Sequence, residues 1–335
     1  MIVLCSDVTY KHARYNRQTV SAVTEREEMS RSVKKLTGLV AATFTPLTTE
    51  GEINLSVIGP YIDYLKEKQN VKSVFINGTT GEGCSLTVDE RKQLAAAWCQ
   101  HGKGKLEQVI VHVGCMSIKD SQELARHAAS IGADGIAVIS PSYFKPINAD
   151  ALRLFIKEVS AFAPDLPMYY YHIPSMTGVA LDAADVLNGI EQMIPSFQGV
   201  KYTGTDLRDL GQCVCYSQSH NWSVMFGVDE QLLGALVLGV HGAVGSTYNY
   251  LGRIVNQMLA AFDNGNHMQT RALQFEFMEV ITFAKNLGFD VSVNKQVMSE
   301  VSGLAMGPPR LPLLPCPVSK AQAIAQKIKD FSQGH

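Results

Sequence analysis

Lys201 stands where a short apolar run, Phe-Gln-Gly-Val, gives way to Tyr-Thr-Gly-Thr-Asp. Such a run reads as a buried strand closing in a turn, and an ammonium group at its end needs a reason. Burial disfavours the charged form and lowers a lysine pKa by up to ~3–5 units when complete. The neutral amine condenses with a ketone to form a Schiff base. The resulting iminium is an electron sink for breaking a neighbouring carbon–carbon bond. Against this stands the ordinary lysine, which snorkels to water or pairs with a carboxylate such as Asp206. Schiff-base chemistry also needs a proton shuttle, for which Tyr171 and Tyr143 are candidates. Tyr169, Tyr170 and Tyr171 are consecutive, so on a strand Tyr169 and Tyr171 face one side and Tyr170 the other. The plainer alternative is a core tyrosine with a satisfied hydroxyl.

Two further clusters fit a small oxygen-rich substrate. The stretch Asn-Gly-Thr-Thr-Gly-Glu-Gly from Asn77 offers the hydroxyls of Thr79 and Thr80 and a nest of backbone N–H groups suited to a carboxylate; simple turn chemistry explains it equally well. Gly227-Val-Asp-Glu puts Asp229 and Glu230 together, able to accept hydrogen bonds from several hydroxyls, unless Asp229 merely caps the following helix. No run ends with two histidines and a carboxylate at ligand spacing, so no catalytic metal is expected. No Gly-x-Ser-x-Gly elbow or Walker loop occurs.

The elements that position these residues are legible as eight short apolar runs: GLVAATFTP, SVFINGTTGE, VIVHVG, GIAVISP, PMYYYHIP, FQGVKYTG, SVMFGVDE and GAVGSTY. Continuous rather than alternating apolarity suits parallel strands covered on both faces. Amphipathic segments separate them. Thr87 and Glu90 form a capping box, Asp182 is placed to cap AADVLNGI, and Leu55, Ile58, Ile62 and Leu65 share a helical face. Pro60 interrupts that face and predicts a kink or a late helix start. Eight strand–helix units predict an α/β fold, a closed (β/α)8 TIM barrel whose site lies at the carboxyl ends of the strands. An open doubly wound sheet would carry a Gly-rich phosphate loop after its first strand, and TFTPLTTEG is not one.

The expected division is a poorly ordered N-terminal extension over residues 1–35, the barrel over 36–265 and C-terminal helices packed on the barrel over 266–335. Five prolines between Pro308 and Pro317 keep that segment extended. Of the 335 residues 46% are hydrophobic, and the formal net charge is −2. A balance this close to neutral gives no reason to expect nucleic acid or an anionic membrane as partner. The seven cysteines form no metal-type pair of CxxC knuckles, and with no signal-type or spanning segment they read as reduced thiols of a cytoplasmic protein.

In four stretches the chain resembles the N-acetylneuraminate lyase and dihydrodipicolinate synthase family of pyruvate-handling aldolases: GTTGE at Gly78–Glu82, YHIPSMTG at Tyr171–Gly178, GVKYT at Gly199–Thr203 and GAVGSTYN at Gly242–Asn249. The resemblance begins near Leu36 and reaches the C-terminal helices. It implies that Lys201 is the Schiff-base lysine, Tyr171 the proton donor and acceptor, and Tyr143 a tyrosine lent to a neighbouring subunit. Thr79 and Thr80 would hold the carboxylate of the pyruvate moiety. Met176 stands where the synthase branch usually carries an arginine for a dicarboxylate substrate. Thr203, Gly227, Asp229, Glu230 and Ser246 match the lyase pattern for a polyhydroxy tail. The implied reaction is reversible cleavage of N-acetylneuraminate to N-acetylmannosamine and pyruvate, in a homotetramer that needs no cofactor. Other members act on 2-keto-3-deoxy sugar acids or 4-hydroxy-2-oxoglutarate. The intact set of Lys201, Tyr171, Thr79 and Thr80 argues against a retired scaffold kept for partner binding, and a sugar-binding module without catalysis gives a desolvated lysine no role.

Overall fold

The computed structural model describes residues 34–334, so the expected N-terminal extension lies almost wholly outside the described residues. From Gly38 the chain alternates strand and helix. The strands are β1 (Gly38–Ala42), β2 (Ser73–Ile76), β3 (Gln108–His112), β4 (Gly135–Ile139), β5 (Met168–His172), β6 (Phe197–Tyr202), β7 (Ser223–Phe226) and β8 (Gly242–Gly245). All pair in parallel and in chain order, and β8 returns to β1 to close the barrel. Each coincides with one of the eight apolar runs. With no edge strand left, every strand is covered by neighbours on both sides and by helices outside.

The connecting helices are α1 (Ile58–Gln69), α2 (Val88–Gly102), α3 (Ile118–Ser130), α4 (Ala149–Ser160), the short α5 (Pro174–Thr177) and α6 (Ala183–Leu187), α7 (Leu207–His220), α8 (Leu232–Leu238) and α9 (Tyr248–Asp263). After the barrel come α10 (His267–Asn286), α11 (Val291–Ser302) and α12 (Val318–Gln333). None of the described helices is long and apolar enough to cross a membrane.

Strand alternation divides the core in two. Tyr169 and Tyr171 join Phe75, Ile110 and Met225 inside the barrel, while Tyr170 faces the helices. α1 starts late, as Pro60 demands: Leu55–Val57 form a 3-10 turn first, and Pro60 falls in the first helical turn, where its missing N–H costs nothing. Ile58, Ile62 and Leu65 are buried on its inner face. The capping box of α2 is complete: Thr87 Oγ1 accepts from Glu90 N, and the Glu90 carboxylate accepts from Thr87 N at 2.8 Å.

The cap expected of Asp182 is not made. Its place is taken by Asp209 on α7, whose two carboxylate oxygens accept from the amides of Ala183 and Ala184, each at 2.9 Å. A buried carboxylate and two free helix amides satisfy one another, and neither partner has water as a substitute. Asp182, nearer solvent, pairs with Arg208 at 2.7 Å.

The proline-rich segment is pinned through Glu82, which ends the Thr79–Thr80 turn. Glu82 Oε1 meets Lys295 Nζ of α11 at 2.7 Å with both side chains essentially inaccessible, and Oε2 accepts from Arg310 N at 2.7 Å. Lys295 also donates to Pro308 O at 3.0 Å. The Arg310 guanidinium then grips Glu90 with contacts of 2.7 and 2.8 Å, which holds the Glu90 carboxyl down at about 2. Removing one member of a buried pair strands the other. Lys295→Met is therefore expected to lower unfolding free energy by about 3–5 kcal/mol. Adding Glu82→Gln recovers part of that loss. Urea midpoints of the two variants check both statements.

Candidate active site

Lys201 and Tyr171 are register partners on β6 and β5. Parallel partners at one level share a face, so both side chains enter the barrel mouth together. Lys201 is 6% exposed. Its Nζ lies 4.1 Å from the Phe75 ring centroid and 4.0 Å from that of Tyr171. The ring faces attract a cation, yet burial dominates and brings the ammonium pKa down to about 7, with the Asp229 charge pulling weakly upward. Asp206 is no partner for it: its carboxylate caps α7 through the amides of Arg208 and Asp209.

The Tyr171 hydroxyl lies 3.2 Å from Thr79 Oγ1. Burial pushes this phenol up to about 12, and the threonine hydrogen bond opposes the shift. Below it, His112 meets the Tyr171 ring edge-to-face at 5.9 Å, with Nδ1 3.0 Å from Asn77 O. Burial and the adjacent Arg91 guanidinium lower the His112 pKa well below its ordinary value, so this floor stays uncharged. Sequence reasoning did not assign His112; its place at the end of VIVHVG was the available signal.

Lys201, Tyr171 and Thr79 line a cavity of about 360 Å³ at the carboxyl ends of the strands, within the range of small-molecule sites. Thr80, Thr203, Gly227, Asp229, Glu230 and Ser246 line it too. Asp229 does not cap a helix. Its Oδ2 accepts from Thr247 Oγ1 at 2.5 Å and Thr247 N at 3.3 Å, while Oδ1 is shielded from solvent and the buried Tyr248 hydroxyl also supports the carboxylate. Burial raises its pKa to about 6 against those hydrogen bonds. Thr203 Oγ1 is likewise shielded from solvent, and it too stabilises the ionised form of the Tyr171 phenol. Two glycines make this crowding possible: a Cβ at Gly227 would sit 2.1 Å from Thr203 Oγ1, and one at Gly245 2.0 Å from Asp229 Oδ1. Glu230 forms an ion pair with Lys285.

Tyr143 is the one predicted site residue that the single chain does not bring in. It is 80% exposed and packs edge-to-face on Phe144 at 5.1 Å. Met176 is also exposed and outside the cavity lining. Conversely, the C-terminal helices were expected to pack on the barrel but not to enter the site. Ile281 and Lys285 of α10, Phe289 and Asp290 of the following loop, and Asn294 of α11 form one cavity wall. The signal was the helix break at Leu287-Gly288, followed by Asp290, whose Oδ1 caps α11 by accepting from Val293 N at 2.8 Å. Among the described residues no three His, Cys, Asp or Glu side chains gather into a metal site. What the cavity can do chemically is add an amine to a carbonyl beside a phenol, with hydroxyls and carboxylates in the same lining.

Known proteins resemble this chain along most of its length. The N-acetylneuraminate lyase of Danio rerio is 89% identical over 306 residues, which cover 91% of this chain and 100% of that one. The N-acetylneuraminate lyase of Homo sapiens is 59% identical over 280 residues, 84% of this chain and 88% of that one. Among solved structures, the N-acetylneuraminate lyase (sialic acid aldolase) of Aliivibrio salmonicida superposes with a TM-score of 0.84 at 35% identity, over 89% of this chain and 97% of that one. A Ruminococcus gnavus sialic acid aldolase, solved as a catalytic lysine mutant, gives a TM-score of 0.83 at 29% identity, over 91% and 99%. The profile of the dihydrodipicolinate synthetase family matches residues 35–331, and with these relatives it shows that the chain belongs to that family.

Proposed function

We propose that this protein is a Schiff-base aldolase that reversibly cleaves N-acetylneuraminate to N-acetylmannosamine and pyruvate. The observation that carries the reading is the Lys201 amine, buried at a strand end and brought down to about 7, beside a phenol it touches. Neutral Lys201 adds to the C2 ketone of the open-chain acid, whose carboxylate sits against the Thr79–Thr80 turn. Tyr171 gives its proton to the departing hydroxyl, water leaves, and a protonated imine remains. The phenolate then takes the proton of the C4 hydroxyl. A phenol with so high a pKa leaves a strong base behind. The C3–C4 bond breaks, its electrons pass to the imine as an enamine, and C4 departs as the aldehyde of N-acetylmannosamine. Reprotonation at C3 and hydrolysis release pyruvate and restore the amine. Acceptors at Asp229 and Glu230 and the Ser246 hydroxyl suit the polyhydroxy tail. Comparing kcat/KM on N-acetylneuraminate, a 2-keto-3-deoxy sugar acid and 4-hydroxy-2-oxoglutarate tests the assignment. The first is expected to be highest; preference for either shorter acid would replace it.

The nucleophile also sets a pH dependence. Below about pH 7 the free enzyme holds Lys201 as the inert ammonium. The rate of adduct formation with pyruvate should therefore rise about tenfold per pH unit up to an inflection near 7, then level off. Asp229→Asn removes the anion that favours the ammonium and moves the inflection to lower pH. Initial rates of borohydride trapping across pH give both curves.

We also propose a homotetramer in the cytoplasm. An exposed apolar cluster of Tyr143, Phe144 and Ile147, each at least 80% exposed, supports subunit contact and a tyrosine lent across it. The six cysteines among the described residues are free thiols, which supports a reducing compartment.

A further inference from the structure

We infer that Asn294 and Tyr250 fix the hydrogen-bond polarity of the cavity wall by holding Ser246 as a donor toward the substrate's tail. The inference rests on the aldolase reading above and adds two positioning residues to it. Asn294, on α11, is 6% exposed, and Tyr250, on α9, is 3% exposed. The Tyr250 hydroxyl donates to Asn294 Oδ1 at 2.9 Å, and Asn294 Nδ2 donates to Ser246 Oγ at 2.8 Å.

The direction of this relay follows from counting donors. Asn294 is the one partner of the Tyr250 hydroxyl among the described residues. Turning the amide over would set its NH₂ against that phenol and leave the phenolic hydrogen buried without an acceptor, which costs about 1–3 kcal/mol. The amide oxygen therefore faces Tyr250 and its nitrogen faces Ser246. Ser246 Oγ receives a hydrogen bond from behind and makes no other among the described residues. Its own hydrogen is left for the cavity that Ser246 and Asn294 line, and so is the second hydrogen of Asn294 Nδ2. On the same wall Glu230 supplies a carboxylate, and Asp229, bonded to Thr247 next to Ser246, lines the cavity behind it. A wall with donors at Ser246 and Asn294 and a carboxylate acceptor at Glu230 selects groups that both accept and donate, which is what the hydroxyls of a polyol chain do. A tail carrying only acceptors matches half of it.

The test reverses the relay. In Asn294→Asp the new carboxylate accepts from Tyr250 on one oxygen and draws the Ser246 hydrogen to the other, away from substrate. KM for N-acetylneuraminate should rise on the order of tenfold in Asn294→Asp and in Ser246→Ala, with kcat little changed. The double variant should be no worse than Asn294→Asp alone, because both lesions remove the same donor. Tyr250→Phe keeps the packing, frees the amide to rotate and should raise KM by a smaller factor; it decides the matter if Asn294→Asp does not fold. Trapping of pyruvate on Lys201 should stay as in the wild type, and in Tyr250→Phe, which adds no charge, so should its pH inflection. An unaltered KM in Asn294→Asp, additive losses in the double variant, or an equal loss of pyruvate trapping would overturn the inference. An unaltered KM in Tyr250→Phe would do so if the aspartate variant is not obtained. Absence of wild-type turnover on N-acetylneuraminate would instead sink the aldolase reading itself.

Discussion

Lys201→Met loses cleavage activity by on the order of 10⁴-fold or more, and it does so in a protein that is more stable than the wild type. The activity loss follows because a thioether forms no imine and no other lysine lines the cavity near Tyr171; Lys285, the other cavity lysine, is paired with Glu230. The gain in stability follows from linkage. The folded-state pKa of Lys201 lies at about 7, against 10.5 for an ordinary lysine. The folded protein thus disfavours a proton that the unfolded chain keeps. The destabilisation is full below about pH 7, fades as pH rises toward 10.5 and is gone above it. At about 1.4 kcal/mol per unit, less what the two ring faces return, it amounts to a few kcal/mol at neutral pH. Methionine fills a similar volume without a charge. Thermal unfolding without substrate should show a higher Tm for Lys201→Met at pH 6, with the gap narrowing by pH 9. A variant no more stable than wild type at pH 6 would mean that the amine is solvated in the folded state.

Tyr171→Phe is expected to lower turnover on N-acetylneuraminate by roughly 10²–10⁴-fold, the range for a lost acid–base group, while leaving stability nearly unchanged. The ring is retained, so the contacts with Lys201 Nζ, Phe75 and His112 remain. Only the hydroxyl beside Thr79 Oγ1 is removed, and the threonine faces a cavity that water enters. Lys201 should still be trapped with pyruvate, at a reduced rate, because carbinolamine dehydration loses its proton donor while the nucleophile stays intact. Single-turnover measurements separate the two steps. A loss under tenfold would assign the proton transfers to another group, such as a tyrosine lent by a neighbouring chain.

The barrel was legible because its eight strands are buried on both faces. Their apolarity is continuous, and each ends in polar or glycine-rich punctuation that no helix would carry. Lys201 stood out for the same reason, as a charge at the end of such a run. Its pairing with Tyr171 was not legible. That alignment depends on the β5–β6 register, which shifts between Met168 and Tyr169, and a register is set by the closed sheet rather than by either strand. The cap of α6 was misassigned to Asp182 because the nearest acid in sequence is not the nearest in space; Asp209 reaches the same amides from α7. The part played by Phe289 and Asn294 was hidden because an amphipathic helix does not reveal which surface it meets. Tyr143 was placed in the site by its position just past the fourth apolar run and by family resemblance, and a single chain leaves it in solvent.

The central claim is that the amine of Lys201 bonds covalently to a 2-oxo acid. Incubating the protein with pyruvate and borohydride, digesting it and sequencing the modified peptide by mass spectrometry tests that claim most directly. One reduced pyruvyl adduct is expected, on Lys201, absent when borohydride is omitted and absent in Lys201→Met. No adduct, or an adduct on Lys285 or Lys295 with Lys201 free, would contradict it.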